Sequence, residues 1–238
     1  MVKLSVIIPA YNEGKKIYSD LKYILNSINK VTKDFELILV NDGSKDNTLE
    51  EVKKIKDKRL KILNYEQNKG KGYALKYGFN KAKGKYITFM DADLDINPGS
   101  LENFFKYMEF YNADIIIGSK RHPQSKVHYP ILRRILSRGY QLFNFALFRL
   151  SVSDTQSGLK LLKYECAKDL MDRVIVKKYA FDLELLVNAK RRHYKVVEAP
   201  IVLDYKFETT MNLKAVIGIF MDTLGIAYRT YILRTYDK

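Results

Sequence analysis

This chain of 238 residues contains one cysteine, Cys166, and therefore cannot form a disulfide within a single molecule. It also lacks any run of about 18 uncharged apolar residues, the length that a membrane-spanning helix needs. The most apolar candidate, 213–233, is interrupted by Lys214, Asp222 and Arg229. Both absences favour a protein of a reducing compartment that does not cross a bilayer.

Two further absences narrow the class of protein. Strand-like residues begin at Lys3, without the apolar core of a signal peptide, so we expect no cleaved leader. The chain also contains no helix-turn-helix, zinc-finger or RNA-binding signature. With 47% hydrophobic and 13% aromatic residues it has the composition of a folded protein, long enough for one domain or a domain with an appendage.

Acidic residues are missing from one long stretch, Ile115 to Ser153, in which basic side chains lie among Leu, Ile, Phe and Tyr. The basic residues are Lys120, Arg121, Lys126, Arg133, Arg134, Arg138 and Arg149. Such a mixture is typical of a contact with an anionic membrane surface. The net charge of +15 leaves nucleic acid and an ordinary solvated face as alternatives, but the missing nucleic-acid motifs argue against the first.

Short apolar runs alternate with helix-like segments through the first half of the chain. Strands are predicted over Leu4–Pro9, Phe35–Asn41, Leu60–Tyr65, Tyr86–Asp91 and Asp114–Ser119. Helices are predicted over Glu13–Asn29, Asn47–Lys56, Gly72–Lys83 and Pro98–Tyr111. Strands that are apolar throughout are typical of parallel sheets covered on both faces. The alternation therefore predicts a doubly wound α/β fold, which binds ligands beyond the carboxyl ends of its strands.

The second half of the chain is less regular. We predict helices over Pro130–Leu150, 181–192 and Asn212–Leu233, a turn over Asp154–Gly158, and a late strand over Lys195–Leu203. The last of these helices mixes apolar residues with lysine and arginine, which is the pattern of an amphipathic helix.

Three carboxylates, those of Asp91, Asp93 and Asp95, follow the fourth predicted strand. In an extended segment such alternate side chains point to one side, where they would repel one another unless a cation lay between them. Oxygen ligands select a hard divalent cation, and Mg²⁺ is usually held by one or two carboxylates together with substrate phosphates. The run therefore predicts a metal-bridged phosphate substrate, and a solvated acidic turn is the alternative.

Polar clusters follow three other predicted strands, at Pro9–Glu13, Asn41–Ser44 and Gly118–Arg121. Asp, Asn, Gly and Ser also serve as ordinary turn and helix-capping residues, and we interpret Asp46 or Asn47 in that way. Four polar clusters at the carboxyl edge of one sheet nevertheless predict a binding site there.

Four motifs occur in order along the first half of the chain: Val6–Glu13, Val40–Ser44, Asn68–Gly72 with Ala74 and Gly78, and Asp91–Leu94. With these motifs the sequence resembles the family 2 glycosyltransferases that have the GT-A fold. Within the family the chain is similar to the polyprenyl-phosphate hexose synthases, through Gly118–Lys120, Arg133–Gly139, Asp154–Lys160 and Phe181–Glu184. Asp154–Lys160 followed by Ala180–Leu186 resembles the dolichyl-phosphate glucose synthases, whereas mannose synthases more often carry Thr-Ser-Gly in the first segment.

The resemblance implies an inverting transferase that moves a hexose, glucose from UDP-glucose, to dolichyl or another polyprenyl phosphate. A GDP-mannose donor is one alternative, and a family 2 enzyme acting on a polysaccharide or glycolipid is another. A non-catalytic membrane or nucleic-acid binding protein is a third, against which the intact Asp91 and Asp93 argue. The implied catalytic domain spans 1–210, with a membrane-associating amphipathic helix over 211–238 that is packed on it or continuous with it.

The resemblance also implies roles for individual residues. The donor would be bound by Pro9, Tyr11, Glu13, Asp42, Lys71 and Asp91. The catalytic residues would be Asp91, Asp93 and Arg133, and Asp91, Asp93 and Asp95 would hold Mg²⁺ or Mn²⁺. The acceptor phosphate would be bound by Lys120, Arg121, Arg133 and Ser137. The expected partners are a nucleotide sugar, polyprenyl phosphate and the anionic cytoplasmic face of a membrane, where the protein would be peripheral, with no role for nucleic acid.

Overall fold

Within the described residues, a seven-stranded sheet forms the centre of the molecule. Its strands are β1 (Leu4–Ala10), β2 (Phe35–Asp42), β3 (Leu60–Tyr65), β4 (Tyr86–Phe89), β5 (Ile115–Ser119), β6 (Lys160–Lys163) and β7 (Val196–Pro200). The order across the sheet is β3-β2-β1-β4-β6-β5-β7, and β6 runs antiparallel to both of its neighbours while the other pairings are parallel. The computed structural model describes residues 2–126, 131–178, 180–203 and 213–237, and of 131–136 and 213–215 it describes the backbone alone.

Helices cover both faces of this sheet. They are α1 (Ile17–Val31), α2 (Thr48–Lys53), α3 (Lys71–Phe79), α4 (Leu101–Phe110), α5 (Ile131–Phe148), α6 (Tyr164–Arg173), α7 (Phe181–Arg191) and α8 (Leu213–Tyr231), with short 3₁₀ turns at Pro98–Ser100 and Thr235–Asp237. Successive strand residues alternate between two cores: Ile7 belongs to a core that includes residues of α3, α6 and α7, and Val6 and Ile8 belong to one that includes residues of α1 and α4. The doubly wound, mostly parallel fold predicted from the sequence is confirmed.

Several boundaries differ from the prediction. The strand expected to reach Asp91 ends at Phe89, and the helix expected from Glu13 begins at Ile17, so that both polar loops are longer than predicted. Strand β6 and helix α6 were not predicted at all. Because β6 has only four residues and a lysine at each end, its sequence carries little strand signal, and its place is set by pairing with β4 and β5.

Helix α8 packs against α5 and α7. Its inward residues Thr223, Ile226 and Thr230 are buried, and the Thr223 hydroxyl lies 2.8 Å from the Tyr140 hydroxyl of α5. Among the residues that the structure describes, no helix combines the length and the apolar character needed to cross a membrane. The division predicted at residue 210 falls outside the described ranges and stays a prediction.

Candidate active site

A cleft of about 420 Å³ opens at the carboxyl ends of β1, β2 and β4. Its lining residues are Pro9, Ala10, Tyr11, Glu13, Asp42, Asn68, Gly70, Lys71, Asp91, Ala92, Asp93 and Lys178. Every residue expected to bind the donor is in this set. The structure therefore brings them together at the sheet edge where a doubly wound fold binds ligands, while their roles stay predictions.

The carboxylate of Asp42 is held by four hydrogen bonds. Its Oδ1 accepts from the Tyr65 hydroxyl at 2.8 Å and from the Lys69 N–H at 2.7 Å. Its Oδ2 accepts from the Gly70 N–H at 2.9 Å and from Asn68 Nδ2 at 3.1 Å. Burial and this carboxylate together raise the pKa of Tyr65 above its usual range. Asp42 therefore shapes the loop before α3, in which Gly70 has a φ of 93° that favours glycine.

The loop after β1 is tied to the loop after β2. Asn12 takes a left-handed φ of 57°, donates its N–H to Ser44 Oγ at 3.0 Å, and accepts the Lys45 N–H on its own Oδ1 at 2.8 Å. The Glu13 N–H donates to Thr48 Oγ1 at 2.8 Å. These contacts hold the Glu13 carboxylate at the cleft, where burial and the charges of nearby aspartates raise its pKa.

Residues 91–95 form a turn, so the extended geometry predicted for the three carboxylates is wrong. Residues 92 and 93 lie in the turn, Leu94 has a φ of 58°, and the Asp95 N–H donates to Asp93 Oδ1 at 3.2 Å. Among the residues that the structure describes, no group of three or more His, Cys, Asp or Glu is gathered as a metal site. Asp91, Asp93 and Asp95 nevertheless all line a second cavity of about 130 Å³, and their role as metal ligands stays a prediction.

Asp91 and Asp93 form part of the wall between the cleft and this second cavity, which Lys120 also lines. Partial desolvation and the negative charges of Asp91 and Asp95 raise the pKa of Asp93 to about 7. Negative charge is therefore in excess at this position. Two carboxylates in such a place fit a divalent cation that takes its remaining ligands from water and a phosphate.

An ion-pair network, partly exposed at Lys71 and Asp91 and buried at Asp182 and Lys160, extends from Asp91. Lys71 Nζ, from the first turn of α3, is 2.7 Å from Asp91 Oδ1 and 3.2 Å from Asp182 Oδ2. Lys160 Nζ, from β6, is 2.7 Å from Asp182 Oδ1, and both Lys160 and Asp182 are buried. Burial opposes the charge on Lys71, but Asp182 and Asp91 outweigh it and raise the pKa of Lys71.

Asp182, Lys160 and the adjacent Gly158 were not singled out as site residues from the sequence. Their segments were noted only for the family resemblance, although a lysine inside the apolar run Leu159–Leu162 is a signal of a buried partner. Gly158 lies against Asp91, since a Cβ at this position would come within 2.1 Å of Asp91 Oδ2.

Of the predicted acceptor residues, Lys120 lines the second cavity. Arg121 Nη2 donates to Ser137 Oγ of α5 at 2.9 Å, and the Lys120 N–H donates to Asp154 Oδ2 at 3.2 Å. Arg133 belongs to the first turn of α5, but its side chain lies outside the described residues. The structure thus places Arg121 beside Ser137, and the backbone of Lys120 beside Asp154.

A model of the family described as Glycosyl transferase family 2 matches residues 5–171 of the chain. The chain belongs to this family. It is 33% identical over 252 aligned positions, covering 100% of this chain and 77% of the relative, to the dolichyl-phosphate beta-glucosyltransferase ALG5D of Trichomonas vaginalis. A dolichyl-phosphate beta-glucosyltransferase of Dictyostelium discoideum is 31% identical over 84% of this chain and 66% of its own length.

Among solved structures, the family 2 glycosyltransferase is similar to glucosyl-3-phosphoglycerate synthase from Mycobacterium tuberculosis. The complex of that enzyme with Mn²⁺, uridine diphosphate and glucosyl-3-phosphoglycerate superimposes with a TM-score of 0.72 at 17% identity, covering 95% of this chain and 79% of the other. At this identity the likeness shows the fold alone, which is the GT-A fold. The family membership makes the chain an enzyme of the glycosyltransferase class.

In this glycosyltransferase the loop from 174 to 178 closes one side of the cleft. The Lys177 carbonyl accepts the N–H groups of Gly72 at 2.9 Å and Tyr73 at 3.3 Å, and Lys178 lines the cleft. Those two N–H groups, and that of Gly70, are therefore already bonded. These three N–H groups are not available to donate to a ligand in the cleft.

Proposed function

We propose that this enzyme transfers glucose from UDP-glucose to dolichyl phosphate, or to another polyprenyl phosphate, with inversion at the sugar. One observation carries the proposal: Asp91 and Asp93 line both the donor cleft and the smaller cavity beside Lys120. A diphosphate on one side and a phosphate on the other would meet at this wall. The similarity to dolichyl-phosphate beta-glucosyltransferases, over 100% and 84% of this chain, supports glucose over mannose.

The geometry accounts for the chemistry without a strong general base. A phosphate monoester with a second pKa of about 6 is already largely ionised at neutral pH, so the acceptor needs orientation rather than deprotonation. Direct in-line attack on the anomeric carbon breaks the bond to the nucleoside diphosphate and inverts the centre. A divalent metal would supply charge stabilisation of that leaving group at Asp91 and Asp93. Lys71, at the same wall, adds a permanent positive charge.

The acceptor phosphate is proposed to bind at Lys120, Arg121, Arg133 and Ser137. Arg121 and Ser137 are already 2.9 Å apart, and guanidinium groups suit the paired oxygens of a phosphate. Arg133 lies four residues before Ser137 on α5, which places both residues on one face of the helix.

The lipid part of the acceptor requires the enzyme to work at a membrane, and we propose that it lies on the anionic cytoplasmic leaflet as a peripheral protein. Large apolar side chains of α5 and α8 are exposed to solvent. They are Leu142, Phe145, Val216, Ile217, Phe220, Met221, Leu224 and Tyr228. Because α5 also belongs to the stretch 115–153, which has no acidic residue, it can present both apolar and basic groups to a membrane surface.

A transfer assay tests the proposal. Purified enzyme is incubated with dolichyl phosphate in anionic vesicles, Mn²⁺ and either radiolabelled UDP-glucose or radiolabelled GDP-mannose, and the lipid is extracted. Label is expected in lipid from UDP-glucose, and Asp93→Ala should reduce it by about 100-fold or more because the leaving-group charge is no longer neutralised. Label from GDP-mannose alone would overturn the donor, and transfer to water-soluble glycans alone would overturn the acceptor.

A matched variant separates the two substrates. Arg133→Ala should raise the KM for dolichyl phosphate or lower turnover, while the affinity for UDP-glucose measured by calorimetry stays within about twofold, because the residue serves only the acceptor. Loss of nucleotide-sugar binding with an unchanged acceptor dependence would reassign Arg133 to the donor.

A further inference from the structure

One oxygen of Asp91 is already in contact with a cation of the protein. Lys71 Nζ lies 2.7 Å from Asp91 Oδ1, while Asp91 Oδ2 lies close against Gly158. Oδ1 therefore has a movable side chain as its neighbour, whereas Oδ2 has the backbone at Gly158. A metal ion that coordinates Oδ1 meets the positive charge of the Lys71 ammonium 2.7 Å from it, and the repulsion between the two cations disfavours binding of both at once.

Asp182 and Lys160 maintain the position and charge of the Lys71 ammonium group. Asp182 Oδ2 is 3.2 Å from Lys71 Nζ, and Asp182 Oδ1 is held at 2.7 Å by the fully buried Lys160. Lys71 can therefore leave Asp91 and keep its bond to Asp182, because the two carboxylates accept different protons of the same ammonium group. The buried pair thus acts as an anchor about which the ammonium can turn toward the cleft.

We propose that Lys71 and the divalent metal compete for Asp91, and that the arrival of a nucleoside diphosphate resolves the competition by accepting the ammonium. Metal alone then binds weakly, because it must displace Lys71 without compensation. Metal and diphosphate bind together with positive coupling, because the phosphate oxygens receive both cations. The inference rests on the proposed function only in taking the ligand to be a nucleoside diphosphate.

Titration with Mn²⁺, followed by the electron paramagnetic resonance signal of the free ion, tests this competition without any transfer reaction. In the wild-type enzyme, after subtraction of the Mn²⁺ that UDP binds in free solution, saturating UDP should tighten Mn²⁺ binding by about tenfold or more. In Lys71→Met, Mn²⁺ alone should bind about tenfold more tightly than to the wild type, and UDP should add less than it adds in the wild type, because only direct coordination of the metal by the diphosphate remains. Lys71→Arg keeps the competing charge and should retain the weak binding of Mn²⁺ alone.

Lys178→Met is the matched control, because Lys178 lines the same cleft and its loss removes the same charge. Its effect on Mn²⁺ alone should stay below about threefold, the size of a general field effect. Two outcomes would overturn the competition. One is that Mn²⁺ binds equally more tightly to both variants. The other is that Mn²⁺ binding to Lys71→Met is unchanged or weaker while the thermal unfolding midpoint is unaltered. If Mn²⁺ alone binds more tightly only to Lys71→Met, and UDP does not change Mn²⁺ binding to the wild type, the competition is supported and the proposed donor is contradicted.

Discussion

Asp42 illustrates how a carboxylate in a binding cleft can serve the protein rather than the ligand. Its four hydrogen bonds come from Tyr65, Asn68, Lys69 and Gly70, and its side chain is almost completely buried. The family resemblance implies that Asp42 binds the donor. The structure adds a different contribution, in which Asp42 sets the position of the loop that lines the cleft.

Gly158 provides a residue-scale prediction. Gly158→Ala would place a methyl group within 2.1 Å of Asp91 Oδ2, so Asp91 must move away from its present position. We expect transfer to fall by about tenfold or more, because a misplaced catalytic group loses much of its effect. Steady-state kinetics at saturating substrates measure the fall. Unchanged kcat with a normal Mn²⁺ dependence would show that Asp91 need not stay where the structure places it.

Asp182 provides a prediction about stability. Asp182→Ala should lower the free energy of unfolding by about 3–5 kcal/mol, because it leaves the ammonium of Lys160 buried without a counter-charge. Urea unfolding at neutral pH measures the change. The double variant Asp182→Ala with Lys160→Met, which also removes the buried charge, should recover part of the loss. No recovery would show that packing rather than charge explains the effect.

The pH dependence of the same carboxylate has a definite sign. Burial opposes its charge, but Lys160 and Lys71 outweigh burial and lower the pKa of Asp182 in the folded protein. Its contribution to stability is therefore fully present above the unfolded pKa of about 3.9 and is lost as the pH falls through the lower folded value. Urea unfolding of the wild type and Asp182→Asn across this acidic range should show their difference shrinking as the pH falls.

At the scale of elements, the shape of the cleft depends on the hydrogen bonds that hold the 174–178 loop in place. The buried Glu184 of α7 accepts the N–H groups of Ile175 at 2.9 Å and Val176 at 2.7 Å. Its other oxygen accepts from Arg229 Nη2 of α8 at 3.3 Å and from the Tyr236 hydroxyl. One carboxylate thus joins the wall of the donor cleft to the C-terminal helix.

We expect Glu184→Gln to weaken nucleotide binding as well as stability. The glutamine amide keeps one acceptor oxygen, but its NH₂ group faces partners that are themselves hydrogen-bond donors. The mismatch should lower the free energy of unfolding by about 1–3 kcal/mol. UDP affinity, measured by calorimetry below the unfolding range, should fall because Lys178 belongs to the loosened loop.

Asp169→Asn is the control for this variant. Asp169 accepts hydrogen bonds from Arg173, Arg192 and Tyr194, none of which belongs to the 174–178 loop. The variant should therefore lower the free energy of unfolding and leave the affinity for UDP unchanged. Equal losses of UDP affinity in both variants would mean that the Glu184 contacts have no specific link to the cleft.

At the scale of the whole molecule, the net charge of +15 and the exposed apolar residues of α5 and α8 predict salt-dependent membrane binding. Each basic residue near an anionic surface contributes about 1 kcal/mol, and salt screens that attraction. In a flotation assay the protein should float with anionic vesicles at low salt and largely dissociate at high salt. Equal binding to neutral and anionic vesicles, unaffected by salt, would contradict an electrostatic contact.

Much of this architecture could be predicted from local patterns. The strands β1, β2, β3 and β5 were found within one or two residues at each end, because buried parallel strands are short, continuous apolar runs. The polar loops at Pro9–Glu13, Asp42 and Asp91 were placed at one sheet edge for the same reason. Parallel strands bring their carboxyl ends together whatever their order, so these loops could be assigned to one cleft before their contacts were known, while the donor roles of single residues come from the family resemblance and stay predictions.

The contacts behind Asp91 could not be predicted in this way. Lys71 and Asp182 are separated by 111 positions, and Lys160 reaches Asp182 only because β6 inserts antiparallel between β4 and β5. A four-residue strand takes its place from the edges of its neighbours rather than from its own residues. The amino-acid sequence therefore settles which side chains reach the edge of the sheet, through the period and polarity of each segment. The packed fold settles which oxygen of Asp91 faces a lysine and which faces a glycine, because those distances arise from elements far apart in the chain.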